Sequence, residues 1–408
     1  MLLYWIWFAM LSGLSGYQKA RLLERFSTPE ELYHGGWEQL PRGLDPQEQE
    51  ALEKKDLTQA RQILGVCQEK GIGILCYGDR AYPEKLKNIP HPPMVLYYRG
   101  KLPQWEERPL IGVVGTRKAS SYGLQATRRI SAQICACGGL VVTGRAAGID
   151  TAAIHGALDG EGAPVVVLGC GVDVVYPASN RELFRLVAQT GCLMSEYPPG
   201  TPAYRWNFPE RNRIISGLSD GTLVAEAPEH SGALITAANA IEQGRDVFVI
   251  PGNIDVASSA GSNALLRDGA LAVFSGYDVV REYECRYPGK IQKREPPALA
   301  KGLEKPEEKV AQKPLPPEFS RSVENTGEKK GIDNPAKSPY SGVNKPTPQL
   351  SDPEKTIVAL LSSQPVGIDQ VIAASDLPSA RVLSLLTMLQ IKGVVQSHPG
   401  GLVSLKNC

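Results

Sequence analysis

The chain has 408 residues, which is enough for two or three domains of ordinary size. Apolar residues make up 42% and charged residues 21%, as in a typical globular protein. The net charge of +1 excludes a histone-like overall charge but allows a local basic patch. The eight cysteines are scattered without a Cys-x-x-Cys pair, so zinc-finger spacing and a thioredoxin-type motif are absent and free thiols are expected.

The first predicted region, residues 1–65, is helical. It opens with an apolar run that stops at Gly13, short of the roughly 20 residues that span a bilayer, and no Lys or Arg precedes it. We therefore expect a buried first helix in a cytoplasmic protein without a membrane anchor; a secretion signal is the alternative. Gly13 and Gly16 bracket a turn to a second helix. That pattern is typical of a SAM or helix-hairpin-helix-like domain, whose turn binds DNA phosphate, or of a plain turn between packed helices.

The second region, residues 66–285, alternates short apolar runs with glycine-rich turns and helical stretches. The runs are rich in Val and Ile and are continuous, which indicates strands that are covered on both faces. Such strands form a parallel sheet with helices on each side, so we predict an α/β fold with a Rossmann-like doubly wound sheet. The predicted strands lie at residues 110–114, 140–143, 165–169, 222–227 and 246–252.

Two further regions follow. Residues 286–350 are dense in Pro, Lys and Glu without apolar periodicity, which predicts a disordered linker. Residues 351–408 read as three helices followed by a hairpin around Pro399, the pattern of a winged helix. The third helix carries only Arg381 and Lys392 as basic residues, so protein contact or weak binding is favoured over sequence-specific DNA readout.

The segment after the first strand of the second region predicts a phosphate site. Gly115 allows close backbone approach, and Ser120 and Ser121 stand at the start of the next helix, where free N–H groups favour an anion. Arg117 and Lys118 add positive charge in the same loop. The alternative is a capped loop with solvated basic side chains.

The next strand ends in a similar way. Gly144 and Gly148 follow it, with Arg145 between them, and ligands of open α/β sheets collect at this edge. Asp150 is expected to have a structural role, either as a helix cap or in a buried hydrogen bond.

Residues 204–221 interleave arginines with aromatic residues. Guanidinium groups bind phosphates and aromatic rings stack on bases, so this pattern favours a site for single-stranded nucleic acid. The alternative is a helix N-terminus with an Arg–Glu210 pair and core aromatic residues. The residues concerned are Arg205, Trp206, Phe208, Arg211, Asn212 and Arg213.

The strand at 222–227 ends in the same kind of turn. Ser231 and Gly232 precede another helix and offer one more anion site. Glu226 is a candidate general acid or base, but no second carboxylate is spaced to serve it. The sequence contains neither a Walker A motif nor G-x-G-x-x-G, and it predicts a phosphate-binding surface without catalytic residues, metal ligands or a cofactor.

Taken together, these segments resemble the signature blocks of the DNA-processing protein A family, also called Smf. The blocks GTRKASSYG, TGRAAGID, NFPERNRIISGLS, HSGALITA and VIPGNID occur in the family's order. The resemblance implies a protein that is not an enzyme and that binds single-stranded DNA in natural transformation (competence). It also implies loading of the recombinase RecA, displacement of single-strand-binding protein, and a homodimer through the Rossmann-like domain.

The resemblance also implies site residues. The family's phosphate-binding arginine falls on Arg117, and its basic and aromatic pair falls on Arg205 and Phe208. Its RNR triplet falls on Arg211, Asn212 and Arg213. The chain departs from the family at Ala147, where many relatives carry arginine, so Arg145 supplies that charge or the contact is lost. It departs again at Ile154, since relatives tend to have histidine there.

Two other functions remain open at this point. One is an enzyme, a nucleotide phosphoribohydrolase-like Rossmann protein of the lysine-decarboxylase-like group, whose PGGxGTxxE block is absent from this chain. The other is an interaction module for which DNA binding is incidental.

Overall fold

The computed structural model describes residues 1–35, 46–144, 146–176 and 180–296. In the C-terminal part it describes residues 352–362, 364, 366–375, 377, 382, 385–386, 388–390, 394–398 and 402–405. The chain divides into two compact units, residues 1–310 and 311–408. Most of the linker expected at 286–350, from residue 297 onward, lies outside the described residues.

The first unit contains a nine-stranded sheet and its helices. The strands are β1 (Gly73–Cys76), β2 (Val95–Gly100), β3 (Leu110–Val114), β4 (Leu140–Thr143), β5 (Val165–Val167), β6 (Cys192–Ser195), β7 (Gly221–Val224), β8 (Asp246–Val249) and β9 (Leu271–Ala272). The first helices are α1 (Leu2–Met10), α2 (Gly16–Arg25), α3 (Pro29–His34), α4 (Pro46–Glu53), α5 (Thr58–Glu69) and α6 (Glu84–Lys87). The later ones are α7 (Ser121–Ala136), α8 (Ile149–Asp159), α9 (Arg181–Thr190), α10 (Asn207–Leu218), α11 (Gly232–Glu242), α12 (Ala260–Arg267) and α13 (Gly276–Val280), with 3₁₀ turns at Ala257–Ser259 and Arg281–Tyr283.

Helix α1 is buried, as its aromatic residues predict. Trp5 and Phe8 belong to a core that α1 shares with strands β1 and β2. A Cβ at Gly16 would lie 2.7 Å from the carbonyl oxygen of Pro92, so the turn between α1 and α2 packs tightly against the protein itself. No helix among the described residues is long and apolar enough to cross a membrane.

The sheet is mostly parallel, which confirms the predicted fold class. Its strand order is β1-β2-β6-β5-β4-β3-β7-β8-β9, and only the β1–β2 and β2–β6 pairs are antiparallel. The five strands predicted from the sequence correspond to β3, β4, β5, β7 and β8. Strands β1, β2, β6 and β9 were not predicted.

Both faces of the sheet are covered, as the continuous apolar runs require. In β3, Ile111 and Val113 enter a core with α7, α8 and α13, whereas Leu110 and Val114 enter the opposite core with α10 and α11. Helix α9 and the N-terminal helices form a third core with further strand residues.

A buried ionic cluster closes the amino end of β7. The Asp220 carboxylate accepts hydrogen bonds from Lys85 Nζ at 2.7 Å, from the Leu110 amide at 2.9 Å and from the Tyr287 hydroxyl at 3.1 Å. Arg286 lies 3.1 Å from the same carboxylate. The packed part of the chain therefore extends beyond residue 285, where the Rossmann-like region was expected to end.

The second unit has the winged-helix pattern that the sequence predicts. Its described elements are α14 (Asp352–Ala359), β10 (Val366–Gly367), α15 (Ile368–Ala374), β11 (Val395–His398) and β12 (Leu402–Leu405). Strand β12 pairs antiparallel with both β10 and β11. The predicted third helix is described only in part, and its apolar residues Val382, Leu385, Leu386 and Leu389 are buried. Arg381 and Lys392 lie outside the described residues.

Candidate functional site

The sheet reverses its winding between β3 and β7. Strands β4, β5 and β6 follow β3 in one direction, whereas β7 and β8 lie on its other side. The loops leaving the carboxyl ends of β3 and β7 therefore diverge and leave a crevice, where open α/β sheets bind ligands. A cavity of about 770 Å³ lies here, bordered by the loops after β3, β4 and β7 and by α10 and α11.

The loop after β3 presents a cation against an aromatic ring. Gly115 and Arg117 line the cavity, and the guanidinium carbon of Arg117 lies 5.3 Å from the ring centroid of Phe208 on α10. The centroid of the Tyr176 ring lies 5.9 Å from that of Phe208, and the two rings are tilted against each other. This arrangement holds a positive charge and two rings together at the cavity wall.

Gly148 fixes the position of this loop. Its φ is +80°, and a Cβ there would lie 2.5 Å from the carbonyl oxygen of Thr116 and 2.7 Å from that of Arg117. Glycine is therefore required both by backbone conformation and by the close approach of the β3–α7 loop.

The N-terminus of α7 already holds an anion. The carboxylate of Glu226 accepts hydrogen bonds from the Ser120 backbone N–H at 3.0 Å and from the Ser120 hydroxyl at 2.9 Å, and Glu226 is buried. Ser120 also caps the helix by accepting from the Gly123 amide. Neither Ser120 nor Ser121 lines the cavity, and the sequence did not indicate that Glu226 fills this position.

At the cavity floor, Asp150 and Arg211 both lie against Gly144. A Cβ at Gly144 would lie 2.5 Å from Asp150 Oδ2 and 2.6 Å from an Arg211 nitrogen, so glycine lets the two charged groups approach. Burial raises the pKa of Asp150 to about 6, although the charge of Arg211 acts in the opposite direction. Burial also lowers the pKa of Arg211, which is 4% exposed and donates to the carbonyl of Val167 at the end of β5.

Arg213 is engaged elsewhere. Its guanidinium forms a two-pronged pair with Glu196, with N–O distances of 3.0 Å and 2.6 Å, and neither residue lines the cavity. Glu196 follows β6, a strand that the sequence did not predict, so this partner was missed.

Most other predicted site residues meet at the cavity. Arg205 is exposed at its wall, and Lys118 lies beside Arg117. Asn212 donates to the carbonyl oxygen of Gly232 at 3.4 Å, and Ser231 caps α11. Arg145 lies outside the described residues, so its placement stays a prediction.

The charge of the lining is positive. The four cations are Arg117, Lys118, Arg205 and Arg211, and the one acidic residue is Asp150. A cleft with this balance attracts anions, and its stacked rings offer faces for planar groups. Within the described residues, no cluster of His, Cys, Asp or Glu could hold a metal ion.

Comparison with known proteins places these features in a family. The sequence model of DNA recombination-mediator protein A matches residues 73–284, and that of the DprA winged helix domain matches residues 343–401. The chain is 34% identical to Protein Smf of Synechocystis sp. over 97% of both chains. It is 38% identical to DNA processing protein DprA of Bacillus subtilis over 54% of this chain and 74% of that one.

A solved structure shares the fold. The X-ray structure of DNA processing protein A from Streptococcus pneumoniae superposes with a TM-score of 0.60 at 34% sequence identity. The match covers 69% of this chain and 98% of that chain.

Proposed function

The chain belongs to the DNA recombination-mediator protein A family, and from that premise we propose that it binds single-stranded DNA in the cavity between β3 and β7. The observation that carries the proposal is the Arg117–Phe208 contact, in which a cation and a ring share one cavity wall. Arg205 and Lys118 also line the cavity, and each supplies a positive charge for a backbone phosphate.

The geometry favours a single strand over a duplex. Base faces in a duplex are stacked on one another, whereas those of a single strand are open to aromatic and guanidinium planes. Phe208 and Tyr176 supply such planes next to the basic side chains. The strand is therefore held by two kinds of contact, phosphate to cation and base to ring.

We further propose that the bound strand is passed to the recombinase RecA during natural transformation, with displacement of single-strand-binding protein in the cytoplasm. Family membership supports this finer function. The test of this proposal is to measure ATP hydrolysis by RecA on strands coated with single-strand-binding protein. The chain should shorten the lag before hydrolysis begins, and an unchanged lag would contradict loading.

A homodimer through the Rossmann-like domain is also part of the proposal. Strand β9 is an edge of the sheet, and Leu271 on it is exposed. Phe274, which follows β9, and Ile254, which follows β8, are 71% and 88% exposed. An open strand edge with apolar side chains is a surface that proteins ordinarily cover, and a second copy of this chain would cover it.

We propose that the chain is not an enzyme. Glu226, which the sequence offers as an acid or base, directs its carboxylate to the Ser120 amide and hydroxyl at the start of α7. A carboxylate in this position stabilises the helix and does not face the cavity. The phosphoribohydrolase alternative predicts release of a base from nucleoside monophosphates, which chromatography of the incubated mixture would detect.

The binding proposal is tested by fluorescence anisotropy of labelled oligo-dT over a series of salt concentrations. Wild-type protein should bind oligo-dT more tightly than a matching duplex, with affinity that falls steeply as salt rises. Arg117→Ala should weaken binding and reduce the log–log salt slope by about 0.7, the value for one lost phosphate contact. Arg185→Ala is the matched control, because this side chain on α9 is 74% exposed and is not part of the cavity lining. Equal effects of both variants, or equal affinity for duplex, would contradict the proposal.

A further inference from the structure

Two aromatic rings outside the cavity lining stack on each other in front of α10. The rings of Tyr204 and Trp206 are nearly parallel, with an interplanar angle of 7° and a centroid distance of 4.7 Å. Both are exposed, Tyr204 to 43% and Trp206 to 67%. The pair therefore forms a flat, partly exposed aromatic surface.

Trp206 differs from the other tryptophans that the structure describes. Trp5, Trp7 and Trp105 are buried among apolar neighbours. Burial of a large aromatic ring is strongly favourable, so an exposed one stacked on a second ring is costly unless a ligand covers it. The contrast indicates a surface with a binding role.

The pair is continuous with the cavity. Arg205 lies between the two residues in sequence and lines the cavity, and Phe208, two residues after Trp206, forms part of the cavity wall. The chain therefore places a cation beside a pair of stacked rings at the rim. A nucleic acid strand carries the complementary pattern, with anionic phosphates alternating with planar bases.

We infer that Tyr204 and Trp206 form a stacking platform for a nucleobase at the rim of the cavity. The inference rests on the proposed binding of single-stranded DNA. The strand held by Arg117 and Phe208 continues over the rim, Arg205 binds its phosphate, and the flanking base stacks on the open face of the pair. Purines cover more of the platform than pyrimidines and stack more strongly there.

The experiment compares oligo-dT with an oligonucleotide of equal length and charge in which abasic sites replace the bases. Anisotropy is measured at fixed salt for wild type, Trp206→Ala, Trp206→Phe and the control Tyr17→Ala, an exposed aromatic residue on α2. Trp206→Ala should weaken oligo-dT binding by about 5- to 100-fold, because the stacking of one base is lost. The salt slope should stay unchanged, because no phosphate contact is lost. Trp206→Phe should retain most of the affinity, and Tyr17→Ala should bind as wild type.

Wild type should also bind the abasic strand more weakly than oligo-dT, and Trp206→Ala should reduce this difference. If Trp206→Ala binds oligo-dT as wild type, or prefers it over the abasic strand to the same degree, the platform is overturned while the cavity proposal stands. If wild type binds no single strand at low salt, both are overturned. Bound oligo-dT should quench the tryptophan fluorescence of wild type, and it should quench that of Trp206→Phe less. This result would support the platform independently of affinity.

Discussion

Arg211 and Arg213 show why residue type alone does not define a site. Both were predicted to bind DNA from one Arg/aromatic segment, yet they lie two residues apart on α10 and therefore about 200° apart around the helix. Arg211 points to the cavity floor, where it donates to the carbonyl of Val167 and interacts with the charge of Asp150. Arg213 points away, to Glu196. The composition of the segment can be read from the sequence. The rotation of the helix cannot, because it depends on packing.

The other predicted residues also differ in whether their neighbours could be predicted from the sequence. Arg117, Arg205 and Phe208 could be placed near one another because they follow strands or precede a helix at the carboxyl edge of a parallel sheet. Ser120 could not be assigned a partner, because Glu226 is distant in the sequence and its contact exists only in the folded chain.

Asp150 gives a prediction for stability against pH. Its pKa is about 6 in the folded chain, raised by burial, against an ordinary value near 4 when unfolded. Between these values the folded state holds a proton that the unfolded state has lost, so the free energy of unfolding should fall by about 2 kcal/mol as pH rises from 4 to 6. Asp150→Asn removes the titrating group and should flatten this part of the profile.

The measurement is urea unfolding followed by tryptophan fluorescence at pH 4, 5, 6 and 7. The buried residues Trp5, Trp7 and Trp105 report on the first unit. Other groups titrate equally in both proteins, so the difference between wild type and Asp150→Asn is the quantity to follow. Parallel profiles would show that Asp150 ionises in the folded chain as it does in water.

At the scale of elements, the five predicted strands share continuous Val- and Ile-rich runs buried on both faces. The missed strands lack this signal for identifiable reasons. Strand β6 is fully buried but contains Cys, Met and Ser, and β9 has two residues, both exposed. Strands β1 and β2 pair antiparallel at the edge, beyond the parallel part on which the prediction was based.

The N-terminus of helix α7 leads to a prediction about the stability of the fold. Its N-terminus is held by Glu226, and the charge of a carboxylate near helix N–H groups is stabilising. Glu226→Gln should lower the free energy of unfolding by about 1 kcal/mol, and Glu226→Ala by about 1–3 kcal/mol, because the Ser120 amide is then left unpaired. Single-stranded DNA affinity of the folded variants should stay within about twofold of wild type.

Glu229→Gln is the matched control, since Glu229 lies three residues away and is exposed. Thermal unfolding and oligo-dT anisotropy on the same samples separate the two roles. Lost binding with undiminished stability would mean that Glu226 serves the ligand site and not the helix.

At the scale of the whole molecule, the sheet has two different ends. The amino end of β7 is sealed by Asp220, Lys85 and Tyr287, whereas the carboxyl end opens into the basic cavity. The sealed end ties the segment after β1 and the chain beyond α13 to the sheet, so the cavity stands on a fixed base.

The edge at β9 yields a prediction about assembly. If a second copy covers this edge, Phe274→Asp should introduce a charge into the contact and shift the protein toward the monomer in light scattering coupled to gel filtration. Because Phe274 is exposed in the single chain, the variant should unfold at the same temperature as wild type once both are monomeric. An unchanged mass would place the dimer contact elsewhere.

We propose that a single strand lies in the cavity between β3 and β7. Photo-crosslinking with an oligo-dT that carries 4-thiothymidine tests it most directly, followed by trypsin digestion and mass spectrometry. We expect crosslinks in the tryptic peptide Trp206–Arg211, which contains Phe208, and their loss in the Arg117→Ala, Lys118→Ala double variant, which keeps the trypsin site at Arg205. Crosslinks confined to the winged-helix unit or to α1–α3, unaffected by those substitutions, would contradict it.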